Sequence, residues 1–220
     1  MNLETALFTA QSVDTAAGDL TSQGANGGPL FLSTQPFSAG INSGSSFEPN
    51  AFTLYSNWAN ATGTNGPAQQ SVARGEVLFN TRALLISSVP GFNDVQGQTQ
   101  VMGTCTSCHN TPNVGSDSVF AMMNIGTTSP STALPSYLVR CTDGTQLTTT
   151  DPGRAMATGK CVDIGKFKVP SMRGLPARAP YFHNGSAATL LDVVNFYDQR
   201  FNMLLTNDEK TDLVAFMSTL

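Results

Sequence analysis

The run Cys105-Thr106-Ser107-Cys108-His109 constrains this chain more than any other feature of it. C-x-x-C-H is the attachment signature of a c-type haem. The two thiols add across the vinyl groups, and the two-residue gap spaces their sulfurs for it. The adjacent imidazole then lies beneath the iron as one axial ligand. A chain built on such a motif must close an apolar envelope around a porphyrin. Two other chemistries use part of the pattern. A zinc site wants a second ligand pair at short spacing, yet Cys141 and Cys161 stand far apart and the other histidine is His183. A thioredoxin-type pair follows a strand in a βαβ unit, and Val101-Met102-Gly103-Thr104 does not read as such a strand. One covalent haem c is the expected cofactor, attached through Cys105 and Cys108 with His109 as an iron ligand.

At 220 residues the chain is long for a single small cytochrome domain and short for two full domains. Charged residues make up only 12%, about half the usual share. Ser, Thr, Asn, Gln and Gly must therefore cover the surface, which suits an exported protein. A net charge of −4 argues against a nucleic-acid partner and favours a basic redox partner protein. No apolar run approaches the ~20 residues of a membrane span. Met1-Asn2-Leu3-Glu4-Thr5 lacks the basic stretch and apolar core of a signal peptide. Haem joins C-x-x-C-H outside the cytoplasm, so the expected location is periplasmic or extracellular. On the same ground the chain reads either as a processed or engineered form or, the favoured expectation, as the carboxy-terminal part of a longer protein. Cys141 and Cys161 fit an oxidising compartment. Paired, they close a polar loop and stabilise by about 3 kcal/mol on the chain-entropy view; the other reading is two separate thiols.

Residues 1–70 read as an irregular extension wrapping a core, with loop material at Ser22–Pro29 and Ala39–Ser46 and apolar patches at Pro29–Leu32 and Phe52–Tyr55. Residues 71–220 read as a cytochrome c-like haem-binding domain. Ser71 is placed to cap a helix running to Phe79, with Ala73, Val77 and Leu78 on one face. Residues 110–165 are turn-rich and read as loops lining the cofactor. Thr189 with Asp192 forms a capping box opening a helix to Phe201, and Thr206 opens another in the same way. In that last helix Leu213, Phe216, Met217 and Leu220 make an apolar stripe. No strand-like alternation persists, so the expected fold class is mostly α, a cytochrome c-like haem domain with long loops.

Phe167-Lys168-Val169-Pro170-Ser171-Met172-Arg173-Gly174, followed by Ala179-Pro180-Tyr181-Phe182-His183-Asn184-Gly185-Ser186, resembles a block of the bacterial di-haem cytochrome c peroxidases and MauG-like enzymes. Arg74–Asn80 before the haem motif and Ala188–Lys210 after this block continue the likeness. It covers about residues 71–220 and implies the carboxy-terminal haem domain of that family. Members of the family carry two C-x-x-C-H sites, whereas this chain has one.

The sixth iron position decides what such a haem does, since a thioether suits electron transfer and an open site admits peroxide. Tyr197 lies where the resemblance places Met in the peroxidases and Tyr in MauG-like enzymes. Met172 stands at a distance from His109 that suits a Met ligand. His183 is the spare imidazole, and Met122 and Met123 trail. Each also reads as plain packing, which would leave the iron five-coordinate. Arg173 is a candidate partner for a haem propionate, the alternative being a solvated surface arginine. Phe167, Tyr181 and Phe182 are candidate haem-wall aromatics. The leading functional reading is a mono-haem c-type cytochrome that transfers electrons. The alternative is a peroxidase or MauG-like oxidase drawing a second haem from a missing segment or a partner chain. A third is a structural or assembly role.

Overall fold

The computed structural model describes residues 10–36, 38, 40–44, 46–116 and 121–220. The amino-terminal run Met1–Thr5, with Ala39 and Ser45, lies outside the described residues. Strands β1 (Val13–Asp14) and β2 (Gly18–Asp19) pair antiparallel, helix α1 spans Pro29–Ser33, and a 3-10 turn covers Ser56–Asn60. Helix α2 (Gly66–Thr81) leads to strand β3 (Leu84–Ser87), helix α3 (Asn93–Gln96) and strand β4 (Gln100–Gly103). Strands β5 (Tyr137–Arg140) and β6 (Gln146–Thr149), helix α4 (Ala155–Thr158), and the carboxy-terminal helices α5 (Leu190–Phe201) and α6 (Asn207–Met217) complete the order. Among the described residues each sheet is a two-stranded antiparallel pair.

A mostly α chain without strands is therefore corrected to a mixed one. The β3–β4 ladder runs from Leu84 opposite Gly103 to Ser87 opposite Gln100. It buries Leu84 and Ile86 while Leu85 faces out, an alternation too short to stand out in sequence. The residues before the haem motif do form a strand, but in an antiparallel ladder and not in a βαβ unit. The β5–β6 hairpin turns at Asp143-Gly144, where the Asp143 carboxylate accepts from the Thr145 amide at 2.9 Å. Tyr137, Leu138 and Leu147 stay exposed on it, so no buried face imposed a period-two pattern.

Helix α2 starts at Gly66, not Ser71. Pro67 occupies its first turn, where a missing N–H costs nothing and φ is already helical. Ser71 lies within the helix and donates its hydroxyl to Asp212 Oδ1 at 2.6 Å. The buried face is Gln69, Val72, Ala73, Glu76, Phe79 and Asn80, with Val77 exposed. Apolar residues alone misplaced that face, because three inward positions are polar. Gln69 donates to the Ala17 carbonyl, Glu76 accepts from the Leu54 and Tyr55 amides, and Asn80 bonds both the N–H and the C=O of Phe52. These side chains grip an irregular segment whose Phe52, Leu54, Tyr55 and Trp58 are fully buried. They belong to the same apolar cluster as α6.

Helices α2 and α6 cross closely. A Cβ on Gly75 would fall 2.0 Å from the Asp212 carbonyl oxygen, so only glycine permits the approach. Arg74 fastens the crossing with a two-pronged bond to Asp212, 2.8 Å on each prong. Both carboxy-terminal helices open on capping boxes as expected: Thr189 accepts from Asp192 N, and Thr206 from Glu209 N. Cys141 and Cys161 are joined in a disulfide, which ties the β5–β6 hairpin to the turn after α4.

Candidate haem site

The haem motif is presented by a single 3-10 turn, Cys105–Ser107, entered from β4. The Thr104 amide donates to Ser107 Oγ at 3.0 Å, and the Ser107 amide donates to the Thr104 carbonyl at 3.0 Å. The His109 amide then bonds the Cys105 carbonyl at 3.0 Å. This tight turn brings Cys105, Cys108 and His109 to one wall of a cavity of about 410 Å³. Neither cysteine is in a disulfide. Burial pushes the Cys105 thiol up to about 12, unlike the acidified thiol of a redox-active pair. Among the described residues, no group of three or more His, Cys, Asp and Glu is arranged to hold a metal ion.

His109 is fixed by the loop that follows. Its Nδ1–H donates to the Gly115 carbonyl at 2.6 Å; a carbonyl only accepts, so that nitrogen carries a proton, and the Pro170 backbone also hydrogen-bonds the ring. Burial shifts the ring's pKa downward, favouring the neutral imidazole that iron requires. Phe79 of α2 lies against it, ring centroids 6.0 Å apart. Gly115 itself has φ +66°, and a Cβ there would meet Met172 Cγ at 2.8 Å and Sδ at 2.9 Å.

That contact bears on the sixth position. Met172 is buried and lines the cavity, but its thioether packs on the residue that holds the proximal imidazole. Tyr197 lines the same cavity from α5, in register with Val193 and Phe201, and stacks on Phe201 at 6.0 Å. Burial raises its phenol pKa. Phe182 also lines the cavity and packs edge-on against Phe196 at 4.9 Å. Its backbone is left-handed, φ +64°, a conformation bulky residues rarely hold. His183 stands at the rim, with its side chain 66% exposed, bonded through Nδ1 to Asp151 and tilted against Phe167 with ring centroids 4.7 Å apart. Met123 lines the cavity and Met122 does not.

Arg173 is buried and lies outside the cavity lining. Its Nε donates to the Asn113 carbonyl at 3.3 Å, and burial pushes its guanidinium down to about 10. The lining carries Lys168, Arg178 and His183. Sequence reasoning missed the first two, although Lys168 stood inside the block it singled out. It also read Leu213, Phe216, Met217 and Leu220 as one stripe. The structure divides them: Leu213 and Met217 line the cavity, while Phe216 and Leu220 face the core at 0% and 2% exposure.

The residues present fit a covalently attached haem. Two cysteines and a neutral histidine share one wall, the remaining walls are mainly apolar, and cations stand on the lining.

No protein-family model matches the chain. A cytochrome-c peroxidase of Denitromonas iodatirespirans is 34% identical over 139 residues, which span 53% of this chain and 36% of that protein. The cytochrome c551 peroxidase of Nitrosomonas europaea is 33% identical over 131 residues, spanning 58% and 34%. The cytochrome c551 peroxidase of Pseudomonas aeruginosa is 29% identical over 117 residues, spanning 53% and 30%. The chain spans about a third of the length of the curated relatives it matches.

Proposed function

We propose that this chain, a relative of the bacterial cytochrome c peroxidases, binds one haem c through Cys105, Cys108 and His109 and passes single electrons to and from a redox partner protein. The observation that carries the reading is the convergence of those three side chains on one wall of a mainly apolar cavity. The group supplies reversible one-electron chemistry when bound. The protein's part is to attach it, orient it and keep water from it. The Gly115 carbonyl orients His109, and an imidazole held in this way is a stronger ligand. Phe79, Met172, Val194, Tyr197 and Phe201 line an envelope whose low polarity tunes the potential. The Cys141–Cys161 disulfide supports a periplasmic or extracellular location.

A second reading follows from Tyr197. Tyr197 lines the cavity from α5, and as a sixth ligand its phenol would not be the usual one of an electron carrier. On this reading the chain is one part of a peroxidase or MauG-like oxidase, with a second haem supplied by another segment or chain. Optical and EPR spectra of the oxidised and reduced protein, followed by hydrogen peroxide, separate the two. Low-spin haem indifferent to peroxide supports the electron carrier. High-spin haem that peroxide converts to a higher oxidation state supports the enzyme.

A further inference from the structure

We propose that Lys168 and Arg178 form the carboxylate-binding rim of the cavity and hold the two propionates of the haem, while Arg173 serves as an internal brace. This rests on the haem reading above and names the residues that orient the cofactor's acidic edge.

The cavity lining carries no Asp or Glu. Besides His109, its basic side chains are Lys168, Arg178 and His183, and His183 is already engaged by Asp151. Two positive charges therefore remain on an otherwise apolar surface, both on solvent-exposed residues. A ligand complementary to that lining has a large apolar body and two anionic groups at its wet edge. A porphyrin with two propionates has that form, and its carboxylates would otherwise border the apolar wall without counter-charge.

Both cations are anchored. Lys168 follows Phe167, whose backbone is bonded to Met123 in both directions at 2.9 and 3.0 Å, and precedes the buried Val169. The main chain is thus fixed while the ammonium is exposed. Arg178 donates through one terminal nitrogen, Nη1, to the carbonyls of Ser171 at 2.8 Å and Arg173 at 3.0 Å. Its Nε and Nη2 make no hydrogen bond among the described residues. A guanidinium held by one nitrogen and open along its other edge is prepared for a two-pronged carboxylate bond. Ser171 lies between the two on the same lining.

The test begins with a pyridine haemochrome assay of the wild type. If no haem is bound, the cavity reading fails and this inference fails with it. With haem present, K168Q, R178Q, the double variant, R178K and a charge control, K160Q, are compared. Lys160 is exposed and off the cavity lining. The double variant is expected to keep its haem, to show a lower midpoint potential than K160Q, and to acquire a new fall in potential with rising pH in the mildly acidic range. Those changes follow because propionates without their cations stabilise ferric iron and titrate at higher pH. The carboxylate bands in redox-difference infrared spectra shift with them, and R178K recovers part of the effect. A haem-loaded double variant with wild-type potential, pH profile and carboxylate bands overturns the proposal. Should the double variant load no haem, the single variants are judged by the same readouts.

Discussion

Two stretches of this chain look alike in sequence and end up stabilised in different ways. Residues 10–61 and residues 121–188 are both rich in turn formers and poor in periodicity. The first becomes core: Phe52, Leu54, Tyr55 and Trp58 are 0–1% exposed, and Tyr55 stacks on Trp58 at 4.7 Å. Around Phe52–Tyr55, backbone groups of Phe52, Leu54 and Tyr55 bond side chains on α2 in place of a sheet partner. The second becomes one wall of the cavity and a hairpin, with Tyr137, Leu138, Leu147, Met156 and Val162 in solvent and a disulfide as its tie. Irregular backbone is compatible with full burial when neighbouring side chains satisfy it. Where they do not, it stays at the surface or needs a covalent closure.

The sharpest way to break this contrast is at Trp58. Trp58→Ala should lower unfolding free energy by about 4 kcal/mol, measured by denaturant unfolding followed by circular dichroism. A change near zero would mean that residues 10–61 are an appendage. Cys141→Ser should cost about 3 kcal/mol on the chain-entropy view, with hydrogen exchange accelerated only around residues 137–163. Faster exchange around Trp58 as well would show that the two regions unfold together.

Glu76 tests the side-chain grip. Glu76→Gln should cost about 2 kcal/mol, because one of two buried amides loses a charged acceptor. Burial raises the carboxyl's folded pKa above its ordinary 4.5, the two amides offsetting part of the shift. A raised value gives stability that is complete below the unfolded pKa and is lost as pH rises through the folded one. The wild type should therefore gain on Glu76→Gln as pH falls through that window. An advantage that grows with rising pH would contradict the assignment. At the small end, Leu138→Ser on the hairpin should stay within about 0.5 kcal/mol by thermal unfolding, and a loss above 1 kcal/mol would mean its face is covered.

What could be read in advance followed how local the chemistry was. The haem motif, the two capping boxes and the paired cysteines are encoded within a few residues, or by residue type alone, and the resemblance at residues 167–186 stood on contiguous sequence. The start of α2 was misplaced because Ser71 looks like a cap, whereas Pro67 sets the first turn and Ser71 bonds Asp212 across the helix crossing. The hairpins were missed because one alternates over four residues and the other buries neither face. A sharper reading of Asp143-Gly144 between β-forming residues was the available signal. Arg173 was singled out from its resemblance block without Lys168 or Arg178 being weighed; the cavity lining includes those two and not Arg173. Which of three nearby cations reaches a cavity depends on loop geometry that no spacing rule supplies.

The most direct test of the central claim is intact-mass spectrometry of the protein purified from a host that matures c-type cytochromes, read beside its pyridine haemochrome spectrum. The account predicts one haem per chain, covalently retained under denaturing conditions and lost in the Cys105→Ser, Cys108→Ser variant. A folded wild-type protein at the unmodified mass, with both motif thiols open to alkylation, would contradict it.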